Sequence, residues 1–289
     1  MAINRAQLAK ELEPGLNALF GLEYARYENE AAEIFENESS DRAFEEEVML
    51  VGFGQANVKA EGAAVGFDTA SESFTARYTH ETIALAFALT EEAVEDNLYD
   101  TLSARYTKAL ARSMAYTKQV RGADVLNTAF ATTGGDGVTL ANTAHPTALG
   151  GTWSNRSATD ADINETSLEQ AMIDIAGFID ERGLKIAMQG RKLIIPVNIQ
   201  FVVDRVLNST LRVGTADNDI NALKNMGMLP GGYTVNHYLT DTDAWFVKTD
   251  CPNGLKHFTR AALATGMEGD FDTGNMRYKA RERYSFGYS

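Results

Sequence analysis

One cysteine, two tryptophans, four histidines and five prolines are spread over 289 residues, and basic side chains are outnumbered by acidic ones, 26 to 40. Each scarcity excludes something. A single thiol, Cys251, leaves no internal disulfide framework, and no Cys or His stands beside it at a zinc-ligand spacing. His80, His145, His237 and His257 are scattered singly, none in an HExxH or comparable pattern. No run of about 18 apolar residues is present to cross a bilayer, and the opening MAINRAQLAKELEPG lacks the apolar stretch of a secretory signal. A protein made and kept in a cytoplasm, with no membrane partner, is expected. With a net charge of −14 there is no broad basic face, so tight nucleic-acid binding, which works by counterion release to clustered Lys and Arg, is not expected.

What is present is an ordinary globular composition, 44% hydrophobic and 23% charged, in a chain long enough for one large or two modest domains. The acidic residues crowd at the start, with twelve against four basic ones in residues 1–50. Leu16, Phe20, Ile34 and Phe44 are spaced through the same stretch, which a purely solvating tail would not need. Two readings stand: an extended arm that docks on something, or a surface helix with a solvated acidic face. Residues 51–74 are rich in Gly, Ala and Ser, so they bury little apolar area and read as a long excursion. A β-hairpin arm lying on a neighbouring subunit would find its missing burial there; a floppy surface loop is the alternative.

Alternation of Ile83, Leu85, Phe87 and Leu89 with alanines predicts a half-buried strand. Thr90 is a good N-cap with Glu91 and Glu92 behind it, and Val94, Leu98, Leu102, Tyr106, Leu110 and Met114 recur at helical spacing. The spacing predicts one long helix over about 90–121, stopped by Gly122. Residues 131–163 read as loops. A capping box over Ser167–Gln170 opens a helix that Gly183 ends, Lys192–Val197 is a short buried strand, and Ile199–Leu207 a second helix. Strand-like runs return at Tyr233–Leu239 and Ala244–Lys248. The last segment, from Asn275 to Phe286, places Arg277, Lys279, Arg281 and Arg283 on one face of an extended strand, opposite in sign to the N-terminal segment. Without stacking aromatics on that face, pairing with carboxylates of another chain is a better reading than nucleic-acid contact.

No catalytic constellation assembles. There is no GxSxG elbow or phosphate loop, and the Gly134–Gly137 cluster lacks the Lys and the preceding apolar strand that such a loop needs. Asp217, Asn218, Asp219 and Asn221 start like a calcium loop but lack its glycine and terminal Glu. Cys251 has no placeable base. The chain reads as a non-enzyme with no cofactor and no metal; a hydrolase using Asp217, Asp219 and His237 is the weakest alternative.

The order of parts, an acidic N-terminal arm, a Gly/Ala-rich hairpin, a strand, a long uninterrupted helix, an α+β insertion and a long returning strand, resembles the major capsid proteins of tailed bacteriophages, the Hong Kong 97 fold. Ala93–Phe130, the helix and strand of Leu168–Val197, and the closing Phe271–Gly287 look most like the Mu-type major head subunits. The resemblance implies an α+β chain divided into an N-terminal arm (1–45), an extended hairpin loop (46–75), a peripheral domain (76–130 with 257–289) carrying the spine helix, and an axial domain (131–256). It implies pentamers and hexamers closing an icosahedral head in the virion, assembled in the host bacterial cytoplasm. The expected partners are copies of itself, scaffolding, portal and decoration proteins, and double-stranded DNA held without sequence-specific contact. Met1 suggests that scaffolding is a separate protein. An encapsulin-like compartment shell is the alternative use of the same fold. Opposite charge singles out Glu45, Glu46 and Glu47 against Arg277, Lys279, Arg281 and Arg283 as inter-subunit contacts, with Lys59 at the hairpin; no acceptor for a Lys–Asn cross-link is identifiable.

Overall fold

A computed structural model describes residues 5–90, 92, 99–212, 219–270 and 274–289, with side chains placed from residue 13 onward and, in the long helix, from Ser103. Two sheets organise the chain. The larger has the strand order β1 (Glu36–Ser39), β10 (Leu255–Gly269), β11 (Met276–Tyr288), β4 (Glu81–Leu89), with β1 parallel to β10 and the other pairs antiparallel. The smaller, β8 (Tyr233–Asn236), β7 (Gly190–Pro196) and β9 (Phe246–Thr249), lies in the middle of the sequence, preceded by the short antiparallel pair β5 (His145–Pro146) and β6 (Thr152–Trp153). Between β1 and β4 the chain leaves as a hairpin, β2 (Phe44–Val51) antiparallel to β3 (Ser71–Thr79).

One face of the large sheet is covered by helices α1 (Arg5–Arg26) and α3 (Tyr99–Asn127), the helix α2 being Glu30–Ile34. Their shared core is Leu16, Phe20, Leu110, Ala111, Met114, Tyr278 and Ala280, with Ile83, Phe87 and Met267 packed against it. The apolar groups of the acidic N-terminal segment therefore dock, but on the chain's own long helix and sheet, and most of the segment is helical rather than extended. Of the alternating apolar residues of β4, Ile83 and Phe87 join the core, whereas Leu85 stays 47% exposed on this edge strand.

The long helix departs from its expected bounds. Residues 91 and 93–98 lie outside the described set, and the helix passes through Gly122 to Asn127. Gly122 is a close-approach residue, not a stop: a Cβ there would sit 2.9 Å from that of Ala31, so the missing side chain lets α2 pack directly on the helix. This contact belongs to a second core of Ala31, Ile34, Phe35, Leu126 and Ile194, which joins the two halves of the molecule.

The middle of the chain is a separate α+β layer. Helix α4 (Glu165–Ala176) packs Leu168, Met172 and Ile175 on Leu193 and Ile195 of β7, together with Val203 and Val206 of α5 (Gln200–Asn208) and Leu223 of α6 (Ala222–Met226). The capping box of α4 lies one turn earlier than expected. Asn164 is the N-cap, accepting from Ser167 N while Ser167 Oγ accepts from Asn164 N, so Ser167 is the third helical residue. The helix ends at Ala176 with Gly177 as its cap, and Gly183 instead takes φ +80° in the tight turn that follows.

Candidate interaction surfaces

The hairpin's base is held by a buried cation. Lys256 on β10 is 3% exposed; its Nζ lies 3.0 Å from Glu38 of β1 and also bonds Glu47 of β2, to which the Tyr78 hydroxyl donates at 3.0 Å. Burial works against the charge, but the two carboxylates hold the ammonium's pKa above its ordinary value. Beside it, His80 at the β3–β4 junction bridges Ser285 and Ser40, both at 2.9 Å, and burial lowers its pKa. Arm, hairpin and large sheet are thus tied at one buried point.

Further out, the hairpin's root is clamped by an arginine from the middle layer. Arg182 Nε donates to Gly52 O at 3.1 Å, its Nη2 donates to Thr69 O, and its Nη1 lies 3.7 Å from Asp68. Asp68 in turn accepts from Gly54 N and Thr69 N, both at 2.8 Å, and these backbone bonds lower its carboxyl pKa. Asp180 Oδ1 accepts from the backbone of Arg182 and Leu184, which fixes the turn that aims the guanidinium. Arg182→Ala removes charge-assisted bonds worth about 1.5–3 kcal/mol in sum. Cleavage within residues 52–69 by a protease at native conditions is expected to rise about ten-fold or more; an unchanged rate would show that the clamp does not restrain the loop.

Beyond the clamp the hairpin presents apolar groups to solvent, with Val58 and Phe67 completely exposed; on the near side of it Leu50 of β2 is 72% exposed. Lys59 is exposed in the same stretch. A second open surface is the uncovered face of the large sheet. Along β11, Tyr278, Ala280, Glu282 and Tyr284 point to the helices, so Arg277, Lys279, Arg281 and Arg283 alternate onto the opposite face, as expected from their spacing. Their cross-strand neighbours are small: Ala88, Ala86, Ala84 and Thr82 on β4, and Gly266, Ala264 and Ala261 on β10, with Glu268 beside Arg277. Arg277 pairs with Asp270 at 2.5 Å, whereas no described residue forms an ion pair with Lys279 or Arg281. Arg277, Lys279 and Arg281 are exposed on a floor of small residues and accessible to a flat or extended acidic partner, whereas Arg283 is half-buried, its Nε enclosed near His80 at the hairpin's base.

The three glutamates singled out by charge do not meet that row within the chain. Glu45 accepts from Ser40 Oγ at 2.6 Å, Glu47 is bound by Lys256, and Glu46, on the other face of β2, lies 3.7 Å from Arg77. Sequence reasoning missed Arg182 and Lys256, which look like any turn arginine or strand lysine until the fold brings carbonyls and carboxylates to them. The residues of the hydrolase alternative are not gathered either. Asp217 lies outside the described residues, and His237 is held by Glu30 of α2, 2.6 Å from its Nδ1. Among the described residues no group of three or more His, Cys, Asp or Glu side chains could hold a metal ion, and no helix is long and apolar enough to cross a membrane.

Compared with known proteins, residues 73–288 match the family described as phage capsid protein. No curated protein matches. The structure is similar to the virus-like particle from Pyrococcus furiosus, with a TM-score of 0.55 and 10% identity over 95% of this chain and 94% of that one. It is also similar to the capsid of an empty GTA particle (TM-score 0.53, 12% identity, 91% and 87% covered) and to the procapsid of bacteriophage JBD30 (0.52, 13%, 99% and 73%). At such identities the likeness establishes the fold, an α+β fold of the Hong Kong 97 kind.

Proposed function

The chain belongs to the phage capsid protein family, and from that membership we propose how its parts divide the work of a head shell. As a capsid protein it is a structural, non-enzymatic subunit of an icosahedral capsid, placed in the virion and acting by association with copies of itself. The observation that carries the reading is the match over residues 73–288, which takes in the smaller sheet, every strand of the larger sheet except β1, and the long helix.

In the proposed division, residues 1–45 are the N-terminal arm and 46–75 the extended loop that lies over a neighbouring subunit. Residues 76–130 with 257–289 form the peripheral domain, and 131–256 the axial domain that meets its copies around five-fold and six-fold axes, in pentamers and hexamers. The exposed Val58 and Phe67 support the loop's role, because a stable monomer gains nothing by presenting them. Phe201 and Ile220, 72% and 67% exposed, support contacts of the axial layer. Within the family we place the chain nearest the Mu-type head subunits, on the resemblance of its closing segment. Assembly in the host bacterial cytoplasm, with scaffolding, portal and decoration proteins as partners and double-stranded DNA inside, belongs to the same reading.

The row of Arg277, Lys279, Arg281 and Arg283 is proposed to receive acidic residues of a neighbouring copy from the hairpin's base at Glu45–Glu47, with Lys59, further along the loop, in the same inter-subunit contact. Glu46 is the best placed of the three, since Glu45 and Glu47 already have buried partners. The test is negative-stain electron microscopy and size-exclusion chromatography of the full chain and of its Lys279→Glu/Arg281→Glu variant. Closed shells or capsomers are expected from the parent and a failure to close from the variant; identical shells from both would remove the row from the interface. Nucleic acid inside the purified particle separates a phage head from a cellular compartment shell.

A further inference from the structure

The opposite side of the peripheral layer is also basic. On the outward face of α3, Arg105, Lys108 and Arg112 stand at helical spacings of three and four, followed by Tyr116, so they form one stripe. At about 1.5 Å rise per residue the three cations extend over about 10 Å. All three are exposed, and none forms an ion pair or hydrogen bond with a described residue. From Ser103 to Arg121 the helix carries five basic residues and no acidic one, in a chain whose net charge is −14. The other two are engaged, Lys118 with Glu282 and Arg121 with Glu81 at 3.1 Å, which leaves the stripe as the free charge.

A groove of about 440 Å³ runs between this stripe and the end of α1, lined by Lys108, Arg112, Ser113, Tyr116, Tyr27 and Glu23. Glu23, its one carboxylate, already faces Arg26 at 3.8 Å and accepts from the Tyr27 hydroxyl at 3.3 Å. Exposed Tyr106 and Tyr116 are interleaved with the cations. Evenly spaced cations with hydroxyls and aromatic rings between them suit a repeating phosphodiester better than a compact carboxylate cluster.

We propose that the Arg105–Lys108–Arg112 stripe is a sequence-independent contact for the phosphate backbone of double-stranded nucleic acid enclosed by the shell. The proposal rests on the shell reading. It assigns the helix face of the layer to the inside of the shell, the sheet face being the one covered by a neighbouring copy in that reading. Three phosphate contacts make a weak, salt-sensitive interaction, with log K falling against log salt at a slope of about −2.7. Such a contact holds nucleic acid near the wall and still lets it move.

The test is fluorescence anisotropy of a labelled 30-base-pair duplex of mixed sequence, titrated with the full chain below the concentration at which particles form. The same samples are then taken to assembly conditions and imaged. Arg105→Gln/Lys108→Gln/Arg112→Gln is expected to weaken binding at least ten-fold in low salt and to flatten the salt slope toward zero while shells still form. Lys279→Gln/Arg281→Gln, on the other face, is expected to keep the duplex affinity. No binding by the parent chain, or equal binding by the triple variant, overturns the proposal. Polyglutamate bound as tightly as the duplex overturns it in favour of an acidic polypeptide. Shells that form normally without duplex binding defeat this inference alone, whereas absence of shells from the parent counts against the shell reading.

Discussion

Lys118→Met is expected to destabilise the protein by about 3–5 kcal/mol, the cost of leaving a buried carboxylate without its counter-charge. Glu282 projects from β11 toward α3, its side chain 3% exposed, and the one cation that pairs with it among the described residues is Lys118, whose Nζ lies at 3.3 Å. The Glu282 Oε1 atom has no hydrogen-bond partner among the described residues, and burial raises the carboxyl pKa despite the lysine. Replacing both partners removes the penalty, so Lys118→Met/Glu282→Leu is expected to recover most of the loss. Urea denaturation of the single and double variants measures both effects.

The same pocket sets a pH dependence of known sign. Because the folded pKa of Glu282 is raised, the protonated form contributes stability that is lost as pH rises through that value. His257 acts the other way: burial and the nearby Lys118 lower it from 6.5 to about 4, so the stability it contributes is present above about 6.5 and is lost as pH falls toward 4. Without Lys118 the carboxyl protonates more readily and His257 is less depressed, so both changes favour the variant in acid. The deficit of Lys118→Met is therefore expected to shrink between pH 8 and pH 5, and a constant deficit would refute this account.

Lys256→Met is expected to cost about 3 kcal/mol, with a fall in Tm on the order of 10 °C. The cost lies below that of a fully enclosed pair, since Glu38 is 43% exposed and regains water when the lysine is gone. The structural consequence is local. Glu47 loses the partner that ties β2 to the sheet, so backbone amides of β2 and β3 are expected to exchange hydrogen faster than those of β7, whose environment is untouched. Thermal denaturation and hydrogen exchange of the same variant test the two parts independently; uniform exchange would show that Lys256 supports the whole fold, not the hairpin's attachment.

Much of the fold was legible. The basic row of β11 could be read because strand periodicity is exactly two and the intervening Tyr278, Ala280 and Tyr284 are of the kind that pack inward. Glu282 shares the inward face, and nothing in one dimension tells that a carboxylate there is buried against Lys118. The long helix is readable from its uninterrupted run, but Gly122 reads as a stop because a glycine needed for close packing and one needed for chain reversal look the same in one dimension. The acidic arm showed that its apolar residues must dock and left open on what. Leu16 and Phe20 find α3, about ninety positions away in the chain.

By itself, then, the sequence determined the long helix, the strands around β4 and β7, the charged face of β11 and the absence of disulfide and catalytic patterns, because these follow from local periodicity and composition; it left the N-terminal segment open between arm and helix and did not mark β10. Only the tertiary structure decided the partners. Glu47 goes to Lys256, His237 to Glu30, Arg182 to the hairpin's root and Lys118 to Glu282, each across a long stretch of chain. A charge reads the same in a sequence whether its counter-charge comes from its own chain, from a neighbouring copy or from solvent. The choice depends on distance and burial, which exist only once the sheets and helices have packed.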